Sequence, residues 1–229
     1  MAQKRADMIV ETRAKLIKAA RQAFANKGFA HSSMDDLTAK AGLTRGALYH
    51  HFGDKKGLLK AVIAQIDAEI MARLEAALDN APTAWQGFID ESITYIMMAT
   101  EPDIQRIVLL DGPAALGDPA RYQVQNACIV STQRTLDRLM AEGTIREVDT
   151  LATSRLLNGA LLSASLWIAQ ADDQQAVSEQ AVDSFVQLIE GLLLKRVPVP
   201  KSAASRTRPV PAPPRAPGAS RTSGSGRRG

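Results

Sequence analysis

A single cysteine, Cys128, leaves the chain without the pair of thiols an internal disulfide needs, so a cytoplasmic, reducing setting is expected. Aromatic residues make up only 4% of the sequence and β-branched runs are scarce, which argues against a sheet-rich fold. No apolar run approaches the roughly 20 residues of a membrane span. The longest, Gly159 to Ala169, is interrupted by Ser163 and Ser165. The charged first residues do not read as a signal peptide. Phosphate-cradling glycine loops, metal clusters and nucleophile–base spacings are missing too, so the usual signatures of an enzyme are absent. No cofactor is expected. A metal is not expected either, because His50 and His51 are neighbours on a helix and diverge by about 100°, too far to join His31 around one ion.

What is abundant is Ala and Leu, residues that lose little on entering a helix, and an all-α fold follows. The net charge of +4 conceals a strong asymmetry. Residues 1–60 carry twelve Lys/Arg against five Asp/Glu, residues 61–194 seven against nineteen, and residues from Lys195 onward nine against none. A basic head on an acidic body points the head toward a polyanion. From Val197 the chain is a Pro/Ser/Arg/Ala/Gly tract that cannot bury enough surface to offset its ordering entropy. Residues 197–229 are therefore expected to form a disordered basic tail. It either adds nonspecific affinity for a polyanion through counterion release or is a solvated extension with no role.

The head, residues 1–54, reads as three short helices. Ile9, Leu16, Ile17, Ala20, Ala23 and Phe24 share one helical face, and Gly28 lies just past its end. Ser33 opens a second helix as N-cap, with Asp36 at capping-box spacing and Met34, Leu37 and Ala41 inside. Gly42 permits a tight turn, and Thr44 caps a third helix running from Arg45 to about His51. That helix spends Leu48 and Phe52 on packing. Arg45, Tyr49, His50 and His51 remain for its outer face, with Gly46 and Ala47 small enough for close approach. Two helices across a glycine turn form the unit that places its second helix in the DNA major groove, which is about 12 Å wide. Asp54 caps a long fourth helix whose first turn carries Lys55 and Lys56, where the dipole already favours a phosphate.

The segment TRAKLIKAARQAFANKGFAHSSMDDLTAKAGLTRGALYHHFGDKKGLL resembles the DNA-binding domain of the TetR/AcrR (tetracycline-repressor-like) family of bacterial regulators. The resemblance covers about residues 11–60 and rests on A-A-x-x-x-F, G-F, S-S-M-D-D-L, A-G-L-T and L-Y-x-H-F-x-x-K in order. It implies an all-helical homodimer, a three-helix head followed by a C-terminal ligand-binding and dimerisation domain, and repression relieved by a small molecule. By position it implies base-edge contacts at Arg45, Gly46, Ala47 and His50, and phosphate contacts at Ser33, Thr44, Tyr49, His51 and Lys55. Asp35 departs from family members that carry a base-reading Arg there, so base contact from the second helix is not carried over.

Residues 55–196 read as an effector-binding and dimerisation domain. Thr83 caps a helix with Trp85, Phe88, Ile89, Ile93 and Ile96 on one face, Pro102–Asp103 opens another segment, and Asp118–Pro119 starts a helix that ends before Gly143. Candidate pocket residues are Trp85, Phe88, Ile89, Ile93, Met97, Tyr122, Cys128 and Trp167, each with ordinary core packing as its alternative. No Lys or Arg occurs between Arg73 and Arg106 and no His after His51, which favours an apolar or cationic effector. The last two helices look like a dimer interface, on stripes containing Leu157, Ala160, Leu161, Ala164 and Ile168, then Phe185, Leu188, Ile189 and Leu192. Helices apolar over that width need covering on two sides, and a symmetry mate covers one, with simple burial inside a monomer as the alternative. Palindromic double-stranded operator DNA is the expected partner. An activator, a constitutive DNA-binding co-regulator and an enzyme on a helical scaffold are the alternative readings.

Overall fold

The computed structural model describes residues 2–117 and 123–194, with no side-chain detail for residues 2–6 and 123–124. The expected Asp118–Pro119 helix start, Tyr122 and the tail from Lys195 lie outside the described residues. Among the described residues the fold is helical, with an isolated antiparallel bridge between Ile145 and Leu193.

The head comprises α1 (Ala2–Lys27), α2 (Met34–Ala41) and α3 (Arg45–Phe52). Leu16, Ala20, Ala23 and Phe24 of α1 are buried against Leu37 of α2 and Leu48 of α3, whereas Ile9 is 45% exposed and stands beyond that contact. The caps form as the spacing predicts. Ser33 Oγ accepts the Asp36 N–H at 3.0 Å and Thr44 Oγ1 accepts the Ala47 N–H at 3.2 Å. Gly42 takes the left-handed conformation, φ 66°, that lets α2 stop and the chain re-enter a helix three residues later. Asp54 then caps α4 (Lys55–Asp79) through the Gly57 N–H.

Behind the head, α4 packs on α5 (Ala84–Met98), and α5 on α8 (Thr150–Gln170) and α9 (Gln174–Glu190). Helix α7 (Gln123–Ala141) lies against α8 and ends before Gly143, φ 68°. One hydrophobic core runs from α1 to α9, built on fully buried Leu58, Leu59, Val62, Ile96, Ile107, Leu136 and Leu139. A fully buried side chain of this size contributes about 1.5–3 kcal/mol.

The segment after Pro102 differs from an ordinary helix. Ile104–Asp111 forms a π-helical stretch, here π1, in which the Gly112 N–H reaches back five residues to the Ile107 carbonyl; it runs into the short α6 (Gly112–Leu116). The wider turn buries Ile104, Ile107 and Leu109 on the body side. Its flanking acids bond to the head. Arg21 of α1 grips Asp103 at 2.5 Å and Glu69 of α4 at 2.7 Å, and Asp111 accepts the Phe29 N–H at 2.7 Å.

Candidate nucleic-acid interface and internal cavity

Helix α3 is held by its inner face and open on its outer one. Leu48 is fully buried and Phe52 half-buried under the Arg13 guanidinium, 4.7 Å from the ring centre. Arg45, Gly46, Tyr49 and His50 are exposed, with Ala47 and His51 half-buried. Ser33 and Thr44 stand exposed at the starts of α2 and α3. Six of the nine sequence-predicted contact residues therefore lie on the open surface around one helix. Both oxygens of Asp35 accept from the Arg45 guanidinium, which raises the Arg45 pKa above its ordinary value. Lys55 is placed differently. Its Nζ lies 4.4 Å from the Phe29 ring centre and donates to the Ala30 carbonyl at 3.4 Å, and burial lowers its pKa. Lys56, beside it, is exposed. Such a face offers forked, aromatic and imidazole donors with room for a close approach, the chemistry that meets base edges and phosphates.

The comparisons with known proteins agree with this geometry. The family profile "Bacterial regulatory proteins, tetR family" matches residues 16–62, and "Tetracyclin repressor-like, C-terminal domain" matches residues 85–192. A crystal structure of a TetR-family transcriptional regulator from Pectobacterium atrosepticum is 49% identical, covering 82% of this chain and 97% of that one at a TM-score of 0.77.

The chain belongs to the TetR family of transcriptional regulators. The Tn10 TetC protein of Escherichia coli is 26% identical over 185 residues, 78% of this chain and 89% of that protein. The regulator UidR of Escherichia coli K12 is 26% identical over 156 residues, 64% of this chain and 76% of that protein.

The body of this TetR-family regulator contains two adjoining internal cavities that share Tyr95 as a wall. Asp67, Ile70, Tyr95, Gln125 and Val108 of π1 line the first, with about 40 Å³ of free space. Phe88, Glu91, Tyr95, Cys128 and Asn158 line the second, with about 10 Å³. Of the expected pocket residues, Phe88 and Cys128 are on these walls. Trp85, Ile89, Ile93 and Met97 are half-buried residues of α5 that do not line either cavity, although the Trp85 ring packs edge-on against Phe88, 6.0 Å between centroids. Helix α5 is apolar on two sides, so periodicity alone does not say which side faces a cavity. Trp167 does not line the cavities either. It is 50% exposed and lies in an outer groove between α8 and α9 with Ala160, Ser163, Ala164, Ser184 and Leu188.

The residues of the expected dimer stripe divide between the outer groove, lined by Ala160, Ala164, Phe185 and Leu188, and the interior of the protomer. Leu157, Leu161, Ile168 and Ile189 are buried within the protomer because they are the residues that seat α8 and α9 on the body. Phe185 is 5% exposed and touches the groove from below, and Leu192 is half-buried. The outward apolar surface of α8 and α9 combines Ala160, Ala164 and Leu188 of the expected stripe with the exposed Leu156 and Trp167.

Sequence reasoning missed Asp67, Glu91, Tyr95 and Gln125. Burial pushes Glu91 up to about 7, Asp67 to about 6 and Tyr95 to about 12, the last opposed by the Gln125 hydrogen bond of 3.0 Å. Burial, with the charges of Glu91 and Asp67, pushes the Cys128 thiol up to about 11, which leaves it unreactive as a nucleophile. Among the described residues no helix is long and apolar enough to cross a membrane, and no His/Cys/Asp/Glu group suits a metal ion.

Proposed function

We propose that this regulator is a homodimeric repressor that grips a palindromic operator and is released by a small-molecule effector. Residues 1–54 read DNA, residues 55–196 sense and dimerise, and residues 197–229 form the basic tail. The observation that carries the reading is α3, anchored by Leu48 while Arg45, Tyr49 and His50 face outward from a basic head. In the operator complex Arg45, Gly46, Ala47 and His50 meet base edges. Ser33, Thr44, Tyr49, His51 and Lys55 meet phosphates, Lys55 by leaving its place over Phe29.

Dimerisation through the α8/α9 groove sets two reading helices one DNA turn apart, about 34–36 Å. Release follows from what π1 touches. Its inner side lines the first cavity, and its flanking Asp103 and Asp111 hold α1 and the turn after it. An effector that widens the cavity displaces π1 from α4 and changes the spacing of the heads. It must bind the released conformation better, since equal affinity for both states shifts nothing.

Footprinting of the full chain on the DNA upstream of its own gene tests this. A protected palindrome, bound by two protomers and abandoned on effector addition, is expected. Equal competition by random duplex across a salt series, or protection that no small molecule relieves, contradicts operator reading and release respectively.

A further inference from the structure

Two carboxylates sit in the body with no partner among the described residues. Glu91 on α5 is 9% exposed and, among the described residues, accepts no hydrogen bond and meets no cation. Asp67 on α4 has Oδ1 buried without a hydrogen-bond partner. Each lines one of the cavities that adjoin at Tyr95, and Cys128 lies within electrostatic reach of both. No Lys, Arg or His is among the described residues of either wall, which are otherwise mainly Ile, Leu, Phe and Met.

A buried ionised carboxylate without a partner is among the most costly features a core can hold, and a neutral replacement of the same shape removes that cost. Two of them on adjoining walls make sense when a positive charge arrives from outside. We propose that the effector is an apolar organic cation, an amine bearing a single positive charge, whose nitrogen lodges between Asp67 and Glu91. This rests on the reading of the chain as an effector-released repressor and adds the chemical class of the effector. Apolar side chains such as Ile70, Leu74 and Phe88 take the body of the molecule, while Gln125 and Tyr95 offer polar contacts at its head. A bare divalent ion fits poorly, because among the described residues no third ligand of the His/Cys/Asp/Glu class joins the two carboxylates. An anion would meet two negative walls.

The free volumes, about 40 and 10 Å³, hold little more than one or two water molecules. The amine must therefore separate α4 and α5 from π1 to enter. That separation is the movement the Asp103 and Asp111 contacts pass to the head.

Titration calorimetry of the full chain with 2-phenylethylamine, 2-phenylethanol and phenylacetate compares one ring in three charge states. The amine is expected to bind at least about tenfold more tightly than the alcohol, and phenylacetate most weakly. The groups facing the site are Asp67, Glu91, Tyr95 and Cys128, and neither α8 nor π1 adds a titratable one. As Asp67 and Glu91 ionise, at about 6 and about 7, amine affinity rises while alcohol affinity stays level. Asp67→Asn and Glu91→Gln each cut amine affinity by about tenfold and leave the alcohol within about twofold. Melting curves establish that both variants fold. The proposal is overturned if amine and alcohol bind alike, if none of the three binds, or if both variants keep full amine affinity. Operator binding measured in parallel separates the two readings. Amine binding that leaves DNA affinity unchanged sinks release but supports the cation site, whereas release by the alcohol as readily as by the amine sinks the cation site alone.

Discussion

The Arg45 guanidinium lies against the Asp35 carboxylate in a two-pronged contact that ties α3 to the helix before it. Both side chains are more than half exposed, so the pair adds little to folding. Its consequence is positional. Asp35 holds the plane of the guanidinium, so the guanine contact proposed for Arg45 would cost less rotamer entropy. Arg45→Ala is expected to relax base preference at one operator position, by about ten- to a hundredfold against the best base. Asp35→Asn should keep operator binding but discriminate less at that position and bind random duplex more tightly, since a negative charge has left the surface. Fluorescence anisotropy against single-base operator variants measures both. Unchanged discrimination in Arg45→Ala rules this role out.

A lysine that meets a phosphate gives a different signature. Lys56 is free at the start of α4, whereas Lys55 must leave Phe29 and the Ala30 carbonyl. Lys55→Ala and Lys56→Ala should each weaken operator and random DNA by the same factor and flatten the logarithmic salt dependence by about 0.9. A flattened slope for Lys56→Ala alone would show that Lys55 stays over Phe29 in the complex.

The head was legible because its signals are local. Caps at Ser33, Thr44 and Asp54 and the turn at Gly42 depend on residues three or four apart, and the structure realises each one. The body was less legible because its decisive features are choices between faces. Asp67 follows Ile63 by four residues and precedes Ile70 and Leu74, so an acid on a buried stripe was visible in the sequence. Glu91, three after Phe88 and four before Tyr95, gave the same signal. On α5, α8 and α9, however, apolar residues run around more than half the helix. Which stripe meets the cavity, the core or the outer groove depends on tertiary packing, so periodicity does not place Trp85 beside a cavity-lining Phe88, Trp167 in the outer groove or Leu157 on a cavity wall. The π1 geometry has no signature in Ile104–Asp111 that distinguishes it from an ordinary helix.

The link between cavity and head makes Asp103 and Asp111 candidates for uncoupling variants. Arg21 and Asp103 are each about one-quarter exposed, and losing a charged hydrogen bond in such a place costs about 1–3 kcal/mol. Asp103→Asn and Asp111→Asn are expected to bind operator and effector separately with near-normal affinity yet show a diminished effect of one on the other. A coupling constant measured by titrating each ligand in the presence of the other supplies the test, and a wild-type value in both variants excludes π1 as the route.

Glu91 also makes stability depend on pH. Its pKa is raised from 4.5 to about 7 in the folded protein by burial, so between those values the folded state holds a proton that the unfolded chain has released. Its contribution is intact below pH 4.5 and is lost as pH climbs through about 7. Asp67 acts in the same sense between 3.8 and about 6. Glu91→Gln should therefore be more stable than the natural protein at about pH 8, by on the order of 2 kcal/mol, and equal to it near pH 4.5. Melting temperatures across that range decide the matter. A variant that melts lower at about pH 8 would show that the carboxylate has a stabilising partner.

The outer groove gives the sharpest separation between folding and assembly. Leu188 is 54% and Trp167 50% exposed, while Ile168, one residue along α8 from Trp167, is fully buried. A charge at Leu188 costs the protomer little, because solvent already reaches the site, but it faces an apolar mate in a dimer. Leu188→Asp should yield a folded monomer by sedimentation. Operator affinity should fall by about 10²-fold or more, since joining two half-sites turns the second contact into an intramolecular event. Ile168→Ala should act in the opposite order, destabilising the protomer by about 2–5 kcal/mol through the cavity it leaves and sparing assembly among the molecules that remain folded. If Leu188→Asp and Trp167→Asp both sediment as dimers, the protomers meet through another surface, and the spacing of the two reading helices has to be set there.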